Sequence, residues 1–188
     1  MTAKCQHQGF PCVNISYGGF DEICAQELRD PISASQILNE SSFCVNIPIN
    51  ESLRLEDLET GDYLRGLKSR IGLYHLWVDY DECDEHNMNT LLCVYVGKGL
   101  AGGRIKEHIK QKYRHLDKLD TIFCTFYECH NRIAKYLEQL FLDLYSFESN
   151  KNENIGSAHL FGVWDRQRYL HGTELDLLAD TISARHGL

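Results

Sequence analysis

The 188-residue chain has a formal net charge of −8 and is 43% hydrophobic, which is ordinary for a globular protein that buries a core. No apolar run approaches the roughly 20 residues that a membrane-spanning helix needs, so a membrane protein is not expected. The first residues lack a basic region followed by an apolar one, so we predict a cytoplasmic protein without a Sec-type signal peptide. Delivery into another cell by a route that needs no such signal stays open.

Eight cysteines are scattered along the chain without a CxxC pair. Cys93 and Cys124 lie in apolar stretches, where a reduced cysteine behaves as a small hydrophobic residue, so we predict free thiols. The nearest approach to a zinc pattern is Cys5, His7 and Cys12, which lacks the fourth ligand that a structural zinc site normally has.

Residues 1–66 are predicted to form an acidic N-terminal appendage, because they contain ten Asp and Glu against four Lys and Arg. Residues 21–29 suit a short helix, and Ser33 or Ser35 suits the cap of a second helix. A strand-like stretch follows, but it contains Pro48, which has no amide hydrogen and restricts the strand to a sheet edge.

Residues 71–79 and 90–96 are mostly apolar, which predicts two strands of an antiparallel hairpin. The connection between them is longer than a tight turn and contains five acids: Asp79, Asp81, Glu82, Asp84 and Glu85. Their spacing does not match an EF-hand loop and lacks its glycine and final glutamate, so we predict a solvated acidic loop and no calcium site.

A helix, a strand and a second helix are predicted next. Residues 104–112 have helical periodicity, residues 121–128 are rich in strand formers, and Asn131 suits the cap of a helix to about residue 147. Residues 158–164 are apolar and are expected to pack back on the core, before a last helix capped by Thr173.

Side chains suited to phosphodiester chemistry collect where the second strand of the hairpin runs into the following helix. The strands carry Tyr74 and Tyr95, the turn carries Lys98, and Arg104 and His108 lie four residues apart on one helix face. A phenol beside a cation can act as a base, and a guanidinium can hold a phosphate with two hydrogen bonds.

A basic segment coincides with this turn despite the acidic net charge. Residues 98–118 contain seven Lys and Arg against two acids, as contact with a nucleic-acid backbone requires. A solvated basic helix face is the alternative interpretation. The predicted nucleic-acid-binding residues are Lys98, Lys106, Lys110, Lys112 and Arg114.

Two tripeptides resemble the two halves of the GIY-YIG nuclease motif: Gly72-Leu73-Tyr74 and Tyr95-Val96-Gly97. The resemblance covers about residues 70–156 and extends to Arg104, His108 and the helical Glu138. It implies an α+β fold whose ββαβα core, at residues 67–158, has a small three-stranded, mostly antiparallel sheet flanked by helices. Residues 159–188 would then be a C-terminal helical extension.

The resemblance also implies a set of functional residues. Glu138 would bind Mg²⁺ or Mn²⁺, although from the residues alone an ion pair with Lys135 explains this acid equally well. Either tyrosine would contact the attacking water, with a slight preference for Tyr74. Asn150 is the expected site asparagine, with Asn152 and Asn154 as rivals. The predicted catalytic residues are Tyr74, Tyr95, Lys98, Arg104, His108, Glu138 and Asn150.

The implied activity is a metal-dependent DNA endonuclease that leaves 5′-phosphate and 3′-hydroxyl ends. The chain would be either a small restriction-type enzyme, which would dimerise to cut both strands, or a nuclease toxin. An immunity or regulatory protein would bind a toxin at the acidic N-terminal region or at residues 79–85. The alternative is a non-catalytic nucleic-acid-binding module with the same fold.

Overall fold

The computed structural model of the protein describes residues 11–48, 66–67, 69–112, 121–150 and 154–171. The strands in these ranges are β1 (Ser42–Pro48), β2 (Ile71–Cys83), β3 (Met88–Leu100), β4 (Thr121–Glu128) and β5 (Phe161–Asp165). The helices are α1 (Gly18–Glu27), α2 (Ala34–Glu40), α3 (Ala101–Lys112), α4 (Asn131–Leu144) and α5 (Arg166–His171). None of the helices in the described ranges is long and apolar enough to cross a bilayer.

The prediction of a three-stranded sheet is wrong, because five strands pair in the order β1-β4-β2-β3-β5. The three predicted core strands are present as β2, β3 and β4, and every ladder in the sheet is antiparallel. A three-stranded sheet would leave the outer edges of β4 and β3 with unpaired backbone groups. β1 and β5, from the segments predicted as additions, pair with these edges instead.

The N-terminal elements largely follow the sequence prediction. α1 and α2 are both formed, and the Ser33 hydroxyl caps α2 by accepting a hydrogen bond from the Gln36 amide at 3.0 Å. β1 contains Pro48 and lies at the edge of the sheet, as the missing amide hydrogen of proline predicts. The predicted helix after Thr173 lies outside the described residues.

The predicted acidic loop between the first two core strands is present only in part: its five acids are exposed as predicted, but three of them belong to β2. β2 continues through Asp79 to Cys83, and a four-residue turn at 84–87 connects it to β3. α5 and its flanks contact the acids: the Tyr169 hydroxyl donates to Asp79 at 2.7 Å, and Arg166 lies 3.3 Å from Asp84. Pairing with β3 and these contacts hold the acidic stretch in extended conformation.

The two faces of the sheet carry separate apolar clusters, because side chains alternate along a strand. On β2, Tyr74 and Leu76 lie on the face covered by α3, whereas Leu73, His75 and Trp77 lie on the face covered by α4. His75 therefore points away from Tyr74. Burial of the His75 ring lowers its pKa to about 3.

Near β4 and β5, the structure corrects one predicted helix cap and confirms one predicted packing contact. The cap of α4 is His130, whose Nδ1 accepts a hydrogen bond from the Arg132 amide at 3.3 Å, and is not Asn131. Leu160 and Trp164 are buried in the larger core, so the apolar segment before α5 packs back on the core as predicted.

Candidate functional site

Two phenols and an imidazole stack on the α3 face of the sheet. Tyr74 and Tyr95 occupy neighbouring strands, with ring centroids 5.9 Å apart. His108, from the second turn of α3, lies 4.5 Å from the Tyr95 ring centre, and its Nε2 is 3.0 Å from the Tyr95 hydroxyl. These three predicted site residues are thus in direct contact.

Tyr74 is the buried member of the stack. Its ring is fully buried, and its hydroxyl makes no hydrogen bond of good geometry with the described residues. Burial and the neighbouring Tyr95 raise the pKa of Tyr74 far above its ordinary value. A Cβ atom at position 97 would lie 2.6 Å from the Tyr74 hydroxyl, so Gly97 makes room for this ring.

Tyr95 is the more accessible phenol, with 9% of its surface exposed. Burial raises its pKa, and the negative charge of Glu138 adds to this increase. Contact with Tyr74 and the positive charge of Arg104 act in the opposite direction and lower the pKa of Tyr95. The pKa of Tyr95 therefore depends on both charged residues that the sequence analysis assigns to phosphate and metal binding, Arg104 and Glu138.

Arg104 reaches the end of β3 from the first turn of α3. Its guanidinium Nη1 donates a hydrogen bond to the Lys98 carbonyl at 2.6 Å. Gly99, with φ of +105°, makes the bend between them, in a backbone region that side chains disfavour. Arg104 is exposed, and its positive charge acts to lower the pKa of both tyrosines.

Lys98 and Glu138 form an ion pair, with 3.7 Å between Nζ and Oε2. Their side chains are 26% and 22% exposed, so the pair borders solvent. Glu138 belongs to α4, whose apolar residues Leu137 and Phe141 pack on the face of the sheet opposite the phenols. This pairing was not predicted from the sequence, where the considered partner of the glutamate was a residue of its own helix.

The structure therefore brings the predicted residues together around the end of β3, on two faces. Tyr74, Tyr95 and His108 lie on the α3 face, whereas Lys98 and Glu138 come from the α4 face. The two groups are close enough for the Glu138 charge to raise the pKa of Tyr95.

Asn150 holds the outer edge of β3 in place. Its side-chain oxygen accepts from the Val96 amide at 3.0 Å, and its side-chain nitrogen donates to the Val96 carbonyl at 2.9 Å. This pairing occurs where β3 extends beyond its ladder with β5. Asn154 makes the same type of contact with Phe147, at 3.1 and 2.8 Å, and Asn152 lies outside the described residues. Asn150 therefore positions the strand between Tyr95 and Gly97.

The predicted nucleic-acid-binding residues are described only in part. Lys98 lies at the site, beside Glu138. The side chains of Lys106, Lys110 and Lys112, and the whole of Arg114, lie outside the described part of the chain.

One cluster of metal-binding side chains was not predicted from the sequence. Cys12, Cys83 and His86 have ligand atoms within 4.8 Å of one another, at the far end of the β2–β3 hairpin. The Cys-x-x-His spacing of Cys83 and His86 is a detectable local signal. The third member, Cys12, is distant from them in sequence, and the sequence pattern groups it with Cys5 and His7 instead.

Comparison of the chain with protein-family models, curated proteins and solved structures finds no match in any of the three.

Proposed function

We propose that this protein is a divalent-metal-dependent endonuclease that hydrolyses phosphodiester bonds in DNA. The observation that carries the proposal is the convergence, at the end of β3, of a phenol–imidazole pair, a guanidinium, a lysine and a carboxylate. Phosphodiester hydrolysis needs a base for the attacking water and positive charge on the non-bridging oxygens, and this set contains both.

Tyr95, and not Tyr74, is the better candidate for the residue that contacts the water. Tyr74 is fully buried, and ionisation of its phenol is strongly disfavoured, so it cannot reach a substrate without rearrangement. Tyr95 is buried except for 9% of its surface, and it lies within hydrogen-bond distance of His108. This replaces the slight preference for Tyr74 expressed from the sequence.

The proposed step is a proton relay followed by displacement. The Tyr95 oxygen takes a proton from the attacking water while its own proton passes to Nε2 of His108, which an imidazole can accept near neutral pH. The resulting hydroxide attacks phosphorus, the bond from phosphorus to O3′ breaks, and the departing O3′ takes a proton from solvent. The products are 5′-phosphate and 3′-hydroxyl ends.

Arg104 supplies the positive charge for this step. Its Nη1 is held by the Lys98 carbonyl, and its guanidinium remains exposed at the mouth of the site. Five guanidinium N–H groups allow it to bind two phosphate oxygens as well as that carbonyl. A preorganised donor of this type stabilises the charge that develops on the phosphate in the transition state.

Glu138 fits the role of a ligand for Mg²⁺ or Mn²⁺. Its carboxylate is partly exposed, and a carboxylate has about four acceptor sites, so the 3.7 Å contact with Lys98 is compatible with an ion on the same group. Mg²⁺ commonly uses one or two protein carboxylates and keeps several waters. When bound, the ion would neutralise charge on the scissile phosphate.

The test is incubation of supercoiled plasmid with the full chain in Mg²⁺ and, in parallel, in EDTA. Nicked or linear DNA is expected only with Mg²⁺, and ligation of the ends without prior treatment would identify 5′-phosphates and 3′-hydroxyls. Binding of DNA without cutting in Mg²⁺ or Mn²⁺ would contradict the enzyme and favour a non-catalytic binding module. On a long duplex, discrete fragments would indicate a restriction-type enzyme, and a smear would indicate a non-specific nuclease such as a toxin.

A further inference from the structure

The far end of the β2–β3 hairpin carries a second group of chemically active side chains. Cys83 is the last residue of β2, His86 lies in the following turn, and Cys12 precedes α1. The two sulfur atoms lie 3.3 Å and 3.4 Å from the same ring nitrogen, Nδ1 of His86. Both cysteines are buried, and the histidine is half-buried.

Simultaneous hydrogen bonds from both thiols to Nδ1 of His86 do not explain this arrangement. A neutral imidazole nitrogen has one lone pair, so Nδ1 can accept a good hydrogen bond from only one of the two thiols. A tetrahedral zinc ion with Zn–S of about 2.3 Å and Zn–N of about 2.05 Å places sulfur and nitrogen about 3.5 Å apart. The observed separations are close to this edge length.

The backbone around the cluster is held by several independent contacts. Asn87 adopts φ of 53°, which closes the turn, and its amide lies 3.4 Å from the Asp84 carbonyl. The Asn87 carbonyl accepts a hydrogen bond from the Arg166 amide at 3.1 Å, which ties the turn to α5. Cys83 and His86 are therefore presented together before any ion binds, as a preorganised site requires.

We propose that Cys12, Cys83 and His86 bind a structural zinc ion that joins the N-terminal segment to the hairpin turn. Thiolate and imidazole are the ligands that zinc prefers, whereas Mg²⁺ takes oxygen ligands, so this site and Glu138 select different metals. Zinc would cross-link positions 12 and 83, which are far apart in sequence, and would stabilise the folded state.

The three described ligands leave the fourth position of a tetrahedral zinc ion to a water molecule or to another side chain. Cys5 and His7 precede Cys12 in the sequence and lie outside the described residues, so only their variants can test them.

The proposed zinc site is independent of the proposed nuclease site. Cys83 follows Tyr74 by nine residues on β2, which corresponds to about 30 Å at about 3.3 Å per residue. The ion would therefore not contact a phosphate bound near Arg104, and its loss would reduce stability without removing a catalytic group.

The full chain is first purified without a chelator. The zinc content of the purified protein is then measured by mass spectrometry. One zinc ion per chain is expected. Replacement by Co²⁺ should then produce the charge-transfer band of thiolate ligands and the visible bands of a tetrahedral ion. Cys83→Ser should lose most of the zinc and lower the melting temperature. Cys129→Ser, which changes a half-buried cysteine elsewhere, should keep both.

Two further variants locate the fourth ligand. Loss of zinc in Cys5→Ser or in His7→Ala would identify it, and retention in both would indicate a site completed by water. Zinc-free native protein that shows no thiolate band with Co²⁺ would overturn the proposal, and so would a disulfide between Cys12 and Cys83. Because these readouts use the native chain, they hold even if Cys83→Ser does not fold. Failure of DNA cleavage would leave the zinc result unaffected.

Discussion

The two ends of the β2–β3 hairpin present different chemistry on the same pair of strands. At one end, Tyr95, Lys98 and their neighbours offer hydroxyl groups and positive charge next to a carboxylate. At the other end, Cys83 and His86 offer a sulfur and an imidazole nitrogen beside a second buried sulfur. The length of the strands separates the two groups by about 30 Å.

This difference arises from the elements that cover each end. α3 and α4 bring ionisable side chains to the end of β3 and leave it partly open to solvent. The segment before α1 and the start of α5 cover the turn at the other end. An open end can admit a phosphate, whereas a covered end can hold an ion as part of the fold. Changes at one end should therefore leave the other unaffected.

The largest expected effect is the loss of DNA cleavage when Glu138, at the open end, is changed. Glu138→Gln should reduce Mg²⁺-dependent plasmid cleavage by at least about 1,000-fold, because an amide is a poor ligand for Mg²⁺ and no longer balances the ion's charge. Zinc content and melting temperature should not change. Asp143→Asn, an exposed acid on the same helix, is the matched control and should cut normally. Normal cleavage by the Glu138 variant would refute the metal assignment.

Arg104→Ala should have the next largest effect at the open end. Loss of one preorganised donor to the transition state typically lowers kcat by about 100- to 1,000-fold. Single-turnover cleavage rates at saturating protein measure this loss separately from DNA affinity. Arg104→Lys should recover little of the rate, because lysine cannot form the two-bond contact. If only the affinity for DNA falls, Arg104 has a docking role. Arg132→Ala, an exposed arginine on α4, serves as the control.

The two tyrosines can be distinguished by a matched pair of variants. Tyr95→Phe should lower the cleavage rate about 100-fold, within the range of general base catalysis, because it removes the hydroxyl that contacts His108. Tyr74→Phe should change the rate by less than about 10-fold, because the Tyr74 side chain is fully buried and cannot reach a substrate. If Tyr74→Phe lowers the cleavage rate more than Tyr95→Phe does, Tyr74 and not Tyr95 is the residue that activates the water.

Gly97→Ala tests the packing that brings the phenols to the open end. The added methyl would meet both tyrosine rings closer than 3 Å, with the Tyr74 hydroxyl at 2.6 Å. Overpacking of this kind costs about 1–3 kcal/mol in the free energy of unfolding, measurable by urea denaturation. Gly103→Ala is the control, because a methyl added there would meet no atom within 4 Å and the residue is helical. Equal stability of the two variants would contradict the close packing.

His75 gives the most gradual effect, in the buried middle of the hairpin. Its pKa is lowered to about 3 by burial, whereas an unfolded histidine has a pKa of about 6.5. The stabilisation by the neutral ring is complete above pH 6.5, and it falls by roughly 1.4 kcal/mol per pH unit as pH decreases toward 3. His75→Leu should remove this slope from the pH dependence of unfolding. An unchanged slope would assign the acid sensitivity to other groups.

The candidate site was predictable from the sequence to the extent that its contacts are local. Arg104 and His108 share a face of α3 because they are four residues apart, and β2 and β3 are neighbouring apolar segments of the sequence. The alternation of side chains along β2 is enough to separate Tyr74 from His75, which the sequence alone predicts. These conclusions depend on helix and strand periodicity, which short stretches of sequence determine.

The remaining features depend on contacts between distant residues, which local periodicity cannot specify. Pairing of β1 and β5 with the central strands made a sheet of five strands, because exposed edges of a smaller sheet would lack hydrogen-bond partners. Tertiary packing also placed Glu138 beside Lys98, and Cys12 beside Cys83 and His86. The sequence thus determined which segments form helices and which form strands. The partners of the charged and metal-binding side chains were decided only by the tertiary structure, because those partners are distant in sequence.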